Sequence, residues 1–350
     1  MHTEGRSTTG PVLGACLLAI VVVGCGSTGG DGESAVTAPA ASPASELGDA
    51  AAATDPAITD VSPAANESAA DDPGPVESDP VSSNDQEEFG RIVVLAEEPV
   101  LADVLAVGVP VVASSATAPD VGLQGIDGDT SGIEIFDYLN TSLEELAALQ
   151  PDEIIVWQFL VDQIGTEQLE GLGSELLIIP DGTTSRERVE MFGEHFDRSA
   201  EADDLLDQLD AAYAAGSEQV SPDCSASVAA IYPGPSPAVF VEPIWTAPLV
   251  VDGLGCDLVP SDDEIDADAN GRVYLSLEQL EVIAGPELIL LQSDTIIGDS
   301  EALETMENNP IWAQLPAVAS GDVTVVDRLG YPGVVGEIRM IDDLLPVLGG

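Results

Sequence analysis

The chain contains no lysine, and its eight arginines stand against 64 aspartates and glutamates. The formal net charge at neutral pH is therefore −56 over 350 residues. A charge of this sign and size repels nucleic-acid phosphates and anionic membrane surfaces, which excludes a DNA- or RNA-binding role. It also indicates a saline or cation-rich habitat, where counterions screen the self-repulsion of an acidic surface.

Histidine is scarce as well. Of two histidines, only His195 lies beyond the N-terminal segment, in a charged stretch typical of a solvent-facing helix. A zinc or manganese site built from several histidines is therefore excluded. No GxSxG motif, Ser-x-x-Lys pair or P-loop is present, although the many carboxylates leave a glycosidase acid pair open. We interpret the protein as a non-enzyme that needs no cofactor.

The N-terminus carries the pattern of a bacterial lipoprotein. An apolar run at residues 11–24 follows Arg6 and ends directly before Cys25, in the context VVGCGS. The run is shorter than the ~20 residues that a membrane-spanning helix needs, which suits a cleaved signal. We expect residues 1–24 to be a signal peptide and Cys25 to be lipidated; an ordinary signal peptide is the alternative.

Residues 25–88 are rich in Ala, Pro, Ser, Gly, Asp and Glu and contain no Lys or Arg. This composition cannot bury enough apolar surface to fold, so we predict a disordered acidic linker. In the remaining chain, Cys224 and Cys256 form a pair outside the cytoplasm, for which a disulfide is expected. A metal-binding pair is the alternative, but CxxC spacing and nearby histidines are lacking.

Strand-like apolar runs alternate with amphipathic helical stretches from residue 89 onward. Strands are predicted at residues 91–95, 109–113, 153–157, 175–179, 227–231, 238–241, 287–291 and 323–326. Helices are predicted near 99–106, 142–148, 165–171, 247–254, 276–283, 301–308 and 334–348. This alternation favours parallel-type sheets flanked by helices. We predict an α/β fold with an N-terminal lobe at 89–198 and a C-terminal lobe at 218–350.

Residues 199–217 lie between the predicted lobes. From Ala202 onward, apolar residues recur at the i, i+3, i+4, i+7 spacing of one helical face. Ser199 is a suitable N-cap, and Gly216 is a suitable end. Such a helix is a rod of ~27 Å. It permits small rocking motions of two lobes around a ligand cleft and resists wide opening.

One sequence unit occurs twice. SLEEL at residues 142–146, with PDEIIV at 151–156, recurs as SLEQL at 276–280, with PELILL at 286–291. Each copy predicts a capped helix, a proline turn and a buried strand. We interpret the repeat as one unit shared by both lobes; chance similarity of two common patterns is the alternative.

Three segments, SLEELAALQPDEIIVW, LSLEQLEVIAGPELILL and NPIWAQLPAVASGDVTVVD, resemble substrate-binding lipoproteins of ATP-binding-cassette (ABC) importers. The resemblance is to the helical-hinge class (class III), which carries ferric siderophores, haem and cobalamin, and it extends from Arg91 to the C-terminus. It implies a lipid-anchored, extracytoplasmic monomer that delivers an iron-siderophore-type chelate to a permease and its ATPase. Haem or cobalamin binding is an alternative, as is a surface lipoprotein of this fold that does not transport.

In that class, one glutamate of each lobe contacts an arginine pocket of the permease. The matching residues here are Glu144 and Glu278, which occupy equivalent positions of the two repeat copies. Complementary charges of this kind set orientation and association rate. Acidic residues are favoured at helix N-termini in any case, which is the alternative explanation for both.

The resemblance also places ligand-facing aromatic or arginine side chains before these helices and in loops after strands. Ligands of open α/β sheets bind beyond the carboxyl ends of the strands, so the same positions are expected on physical grounds. An anionic or catecholate-type chelate would need arginines, for which surface salt bridges are the alternative role. Trp157 and Tyr232 end buried strands and could instead belong to the core. The predicted ligand-binding residues are Tyr138, Trp157, Tyr232, Trp245, Arg272, Arg328 and Tyr331.

Overall fold

The structure is a computed structural model that describes residues 88–234, 236–268 and 270–349. The predicted signal peptide, the lipidation site Cys25 and the predicted linker up to residue 87 lie outside the described residues. Within the described ranges, no helix combines the length and the apolar character needed to cross a bilayer.

The first lobe is built on a five-stranded sheet in the order β3-β2-β1-β4-β5, and every strand pairing is parallel. β1 is buried on both faces, because alternate residues belong to two different hydrophobic clusters, as a parallel strand between helices requires. The strands are Ile92–Leu95 (β1), Ala113–Ala116 (β2), Glu134–Asp137 (β3), Glu153–Trp157 (β4) and Glu175–Ile179 (β5). The helices are Glu98–Ala106, Leu143–Ala148, Gln158–Ile164, Thr166–Glu170 and Ser185–His195.

The second lobe contains a six-stranded sheet in the order β11-β10-β6-β7-β9, with β8 also paired to β6. Its strands are Ser225–Ala230 (β6), Ala238–Phe240 (β7), Asp257–Leu258 (β8), Arg272–Tyr274 (β9), Glu287–Gln292 (β10) and Val323–Asp327 (β11). Its helices are Thr246–Gly253, Asp299–Glu307 and Pro316–Ser320, and 3-10 turns occur at Leu277–Val282 and Trp312–Gln314. The two sheets with their helices confirm the predicted two-lobed α/β fold.

The second sheet is mixed, because β7 runs antiparallel to both β6 and β9. The connection between β6 and β7, residues 231–237, is too short for the crossover that a parallel return needs. β10 is parallel to its neighbours β6 and β11, so the part of the sheet nearest to β10 matches the first lobe.

Ser199–Ser217 forms one helix, here called the connecting helix, which buries Ala202, Leu205, Leu206 and Leu209. Its N-cap is Arg198, without a side-chain cap, so the expected cap at Ser199 is wrong by one residue. Gly216 lies inside the helix rather than at its end, and it is buried. A Cβ there would come within 2.5 Å of the Leu254 side chain, so glycine allows a close helix approach.

Gly333–Leu348, here called the C-terminal helix, packs against helices of both lobes and against the connecting helix. The backbone N–H of Val334 donates to Asp103 of the first lobe at 2.7 Å. The buried Glu337 accepts hydrogen bonds from Ser185 of the first lobe and from Tyr213 of the connecting helix, both at 2.5 Å. One hydrophobic cluster therefore continues from the first lobe into the second through these two helices.

The two copies of the sequence unit occupy matching places. Ser142 and Ser276 each form a capping box with the residue three positions on. β4 then lies between β1 and β5, and β10 lies between β6 and β11, all in parallel. The first copy is an α-helix and the second a 3-10 turn, so the predicted helix at 276–283 is tighter than expected.

The pattern of apolar residues missed parts of the first sheet. The strand predicted at 109–113 is wrong, since β2 begins at Ala113. The prediction failed because the four small residues of β2 show no apolar pattern. Ser115 instead ties the strand to β1, donating to the Ala96 carbonyl at 2.7 Å and accepting from the Ala96 N–H at 2.9 Å. β3, with sequence EIFD, is a partly exposed edge strand and was not predicted.

Candidate ligand-binding cleft

Two adjoining cavities lie between the lobes, with volumes of about 470 and 180 Å³. Both are lined by Glu97, Pro99, Trp245, Thr246 and Arg272, so the cavities form one cleft. Small-molecule sites in proteins enclose roughly 300–1,000 Å³, so the cleft is large enough for a compact organic ligand. It lies beyond the carboxyl ends of strands in both sheets, as expected for an open α/β fold.

Three aromatic side chains, Tyr138, Trp157 and Phe159, line the first-lobe wall of the cleft. Tyr138 contacts Phe159 edge to face, with ring centroids 6.1 Å apart. Trp157 is the last residue of β4. Its buried indole Nε1 has no hydrogen-bond partner among the described residues. The guanidinium of Arg188 lies 5.9 Å from the Trp157 ring centroid. A ligand oxygen in this part of the cleft would satisfy the unpaired indole N–H.

The second-lobe wall combines arginines with tyrosines. Arg272 donates to the Tyr232 hydroxyl at 3.1 Å, and its guanidinium lies 5.2 Å from the Tyr274 ring centroid. The guanidinium of Arg328 lies over the Tyr232 ring, 5.2 Å from its centroid. Trp245 is fixed by its Nε1–H, which donates to the Asn270 carbonyl at 3.0 Å. The rings are thereby held in place without a ligand.

All seven residues predicted from the sequence line this cleft. Trp157, Tyr138, Trp245 and Arg272 line the larger cavity, and Tyr232, Trp245, Arg272, Arg328 and Tyr331 line the smaller one. Tyr331 also donates its hydroxyl to Asp343 at 2.6 Å. The structure thus brings the predicted residues together, and their contact with a ligand stays a prediction.

Several lining residues were missed. Glu97 and Glu98 follow β1, Asp181 follows β5, and Phe159 lies in the helix after β4. Position alone could have found Glu97 and Asp181, because both lie just beyond the carboxyl end of a predicted strand. Arg188 lies inside the helix Ser185–His195, of which only the end near His195 was expected; the Thr184–Glu187 capping box is a local signal that could have located its start.

Each arginine of the cleft already has a carboxylate partner. Arg272 pairs with Asp268 at 3.2 Å, and Arg328 pairs with the fully buried Asp299 at 2.9 Å. Arg188 pairs with Asp103 at 2.8 Å, and both side chains are buried. The expected alternative role of the arginines in salt bridges is therefore present, although the pairs lie in the cleft wall rather than on the outer surface.

Glu97 lines both cavities of the cleft, and its pKa is strongly raised. Burial raises the pKa of Glu97 to about 7, and the adjacent Glu98 adds to the rise. Arg272, Arg188 and Arg328 act in the opposite direction without cancelling the effect of burial. A perturbed carboxyl group in a cleft is typical of functional sites.

Glu144 and Glu278 are exposed, and each is the second residue of its capped turn. Their side chains make none of the hydrogen bonds or ion pairs found in the described part of the chain, which leaves both carboxylates free for a partner. Contact with a permease stays a prediction.

The sequence analysis also makes predictions for two cysteines and one histidine. Cys224 and Cys256 are joined by a disulfide in the structure, with their Cα atoms 4.7 Å apart. His195 ends the helix Ser185–His195, where its Nε2 lies 2.5 Å from Glu153 of β4. Its side chain is 36% exposed, so the expectation of a purely solvent-facing histidine misses this bond to the sheet.

Two α/β lobes, a single helix in the chain between them and a cleft at the carboxyl ends of both sheets form the architecture expected of a substrate-binding protein. Residues 92–328 match the family model described as "Periplasmic binding protein". The chain belongs to this family. A search of curated protein sequences gave no significant match.

Solved structures of similar fold include proteins of Staphylococcus aureus and Bacillus subtilis. Staphylococcus aureus SirA complexed with staphyloferrin B has a TM-score of 0.63 at 18% identity, covering 74% of this chain and 92% of that one. S. aureus FhuD2 with bound ferrioxamine B has a TM-score of 0.62 at 18% sequence identity, and the match covers 74% of this chain and 97% of that one. Bacillus subtilis FeuA complexed with ferri-bacillibactin has a TM-score of 0.62 at 17% sequence identity, and the match covers 73% of this chain and 91% of that one. At these identities, the similarity establishes the fold.

Proposed function

We propose that this protein is the substrate-binding component of an ABC importer and that it captures a ferric siderophore outside the cytoplasm. The observation that carries the proposal is the cleft, which receives aromatic and arginine side chains from both lobes. The three similar structures above were each solved with a siderophore bound, which supports a ligand of that kind. Haem and cobalamin are the other ligands to test.

Aromatic rings and arginines suit a ferric chelate for a physical reason. A chelate is a large, rigid ligand whose outer surface alternates apolar faces with oxygen atoms. Rings such as Trp157 and Tyr232 provide apolar contact area, and the unpaired Nε1–H of Trp157 provides a hydrogen-bond donor for an oxygen. The guanidinium N–H groups of Arg272 and Arg328 that face away from their aspartate partners can donate to further oxygens.

Ligand capture would involve a small rocking motion of the lobes, residues 89–198 and 218–350, about the connecting helix. The continuous core through the connecting and C-terminal helices supports a modest motion, because wide opening would expose buried apolar surface. The radius of gyration from small-angle X-ray scattering should therefore change by only about 1 Å or less on ligand addition.

The anchoring part of the proposal concerns residues outside the described ranges. Residues 1–24 would direct export, Cys25 would carry the lipid, and residues 25–88 would tether the folded part to the membrane. Metabolic labelling with a radioactive fatty acid should mark the wild type. A Cys25→Ala variant that is labelled equally would refute the anchor and leave the ligand proposal standing.

Delivery would depend on Glu144 and Glu278 as contacts for arginines of the permease. Their exposure and their equivalent positions in the two lobes support this role. Charge reversal of both to arginine should reduce uptake of a radiolabelled ferric siderophore by about tenfold or more while leaving ligand affinity unchanged. Reversal of Glu304, an exposed residue on the helix Asp299–Glu307, is the matched control.

Tryptophan fluorescence tests the central proposal. The chain has three tryptophans, of which Trp157 and Trp245 line the cleft and Trp312 is buried in the second lobe's own core. Ferric siderophores should quench the wild type and a Trp312→Phe variant alike. A Trp157→Phe, Trp245→Phe variant should lose most of the change. If ferric siderophores, haem and cobalamin all leave the emission unchanged, the transport proposal is refuted in favour of a non-transporting surface lipoprotein.

A further inference from the structure

The charge of the cleft is not the positive one that three arginines would suggest. Arg188, Arg272 and Arg328 are each neutralised by an aspartate of the wall, as described above. The pairs of Arg188 and Arg328 are held in place, since Asp103 and Asp299 are fully buried. A ligand that relied on the positive charge of the arginines would have to compete with aspartates that are already in contact with them.

Three further carboxylates line the cleft without an arginine partner. Glu98 accepts hydrogen bonds from the Thr117 backbone N–H at 2.9 Å and from the Thr117 hydroxyl at 2.6 Å. Asp181 accepts only a 3.3 Å hydrogen bond from the backbone of Phe159. Glu97 makes none of the side-chain hydrogen bonds or ion pairs found among the described residues. The cleft and its wall therefore carry more carboxylates than guanidiniums.

The pKa of Tyr138 also reflects the excess of carboxylates over guanidiniums in the cleft. Burial raises the pKa of the Tyr138 phenol, and Glu97, Glu98 and Asp181 all raise it further. These three carboxylates therefore lie close enough to one side chain of the cleft to disfavour an added negative charge there. The Trp157 Nε1–H in the same cavity has no partner among the described residues and can donate to a ligand oxygen.

We infer that the cleft selects ferric chelates without net negative charge, of the hydroxamate type, and that Glu97 faces the cationic or hydrogen-donating arm of such a chelate. The inference rests on the proposed function and specifies its ligand class. Three hydroxamates carry three negative charges, which Fe³⁺ cancels, whereas three catecholates leave a trianionic complex. A trianion would meet Glu97, Glu98 and Asp181 at close range, and a chelate bearing an ammonium group would meet in Glu97 a carboxylate that lacks a partner.

Three ferric chelates of different charge test the inference: cationic ferrioxamine B, neutral ferrichrome and trianionic ferri-bacillibactin. Affinities are measured by tryptophan quenching at about pH 8, where the Glu97 carboxyl is ionised. The wild type should bind the first two at least about tenfold more tightly than the third. Equal or tighter binding of ferri-bacillibactin overturns the inference and leaves the proposed function intact, whereas binding of none refutes both.

Variants of Glu97 test its role directly. Glu97→Gln should weaken ferrioxamine B binding by about 10- to 100-fold, as expected for loss of a charge-assisted hydrogen bond, and change ferrichrome affinity by less than about threefold. Glu304→Gln removes the same charge from the protein surface far from the cleft lining and should leave both affinities unchanged. An equal loss for both chelates in Glu97→Gln would assign Glu97 to cleft structure and overturn its role in charge selection.

Discussion

Replacing Glu97 by glutamine should stabilise the ligand-free protein at alkaline pH. The folded state raises the pKa of this carboxyl from 4.5 to about 7, chiefly because it is buried in the cleft. A carboxyl whose pKa is raised by folding favours the folded state when protonated. The contribution of protonated Glu97 to the free energy of unfolding is fully present below about pH 4.5, and it is lost as the pH rises through about 7.

The magnitude follows from the size of the shift. Each pKa unit corresponds to about 1.4 kcal/mol, so ionised Glu97 should cost about 3 kcal/mol of the free energy of unfolding near pH 8 and about 1 kcal/mol or less near pH 5. Glu97→Gln removes this cost while keeping the shape of the side chain. The variant should therefore exceed the wild type in stability at the higher pH and nearly match it at the lower pH.

Urea unfolding followed by circular dichroism at the two pH values measures this difference. Salt can distinguish the two causes of the raised Glu97 pKa, burial and repulsion from Glu98, of which burial is the larger. Repulsion is screened at about 1 M NaCl and desolvation is not, so most of the effect should persist in salt. Glu304→Gln serves as the control for loss of one charge. A Glu97→Gln variant that is no more stable than the wild type near pH 8 would refute the reasoning.

Three further tests probe the ion pairing, the disulfide and the helix packing of the folded part. Arg188→Met leaves the buried Asp103 without its partner and should cost about 3–5 kcal/mol in urea unfolding, much of which an added Asp103→Leu should restore; no restoration would mean that the cost is not electrostatic. Replacing Cys224 and Cys256 by serine opens a disulfide of sequence separation 32 and should cost about 4 kcal/mol, so an unchanged urea midpoint would argue against a structural role. Gly216→Val places methyl groups against the facing leucine and should lower stability by about 1–3 kcal/mol in thermal melts, whereas valine at the adjacent exposed alanine should have little effect.

Local sequence signals predicted most elements of the fold. Apolar runs identified β4 and β5 at their observed bounds, and the Ser142 capping box identified the start of the following helix. Strand ends could then be located, and with them the residues at or just beyond the carboxyl ends, such as Trp157 and Arg328. Signals of this kind depend on neighbours within a few residues, which is why they can be read from the chain.

Elements whose order depends on distant partners were missed. β2 consists of small residues and is held by Ser115 through hydrogen bonds to β1, about twenty positions earlier in the chain. The edge strand β3 has little apolar content, and its pairing with β2 defines it. The short β9 likewise exists as a partner of β7. None of these strands has a local pattern strong enough to be recognised alone.

The amino-acid sequence by itself determined the α/β class, the helix between the lobes and the positions of the aromatic and arginine side chains along the chain, since periodicity and capping act locally. Only the tertiary structure decided the charge of the cleft. Arg188 meets Asp103 across 85 residues and Arg328 meets Asp299 across 29. Glu97, by contrast, makes no side-chain hydrogen bond or ion pair within the described part of the chain, and residues from both lobes desolvate it. Pairing and desolvation depend on which distant groups come together, and this is a property of the folded chain.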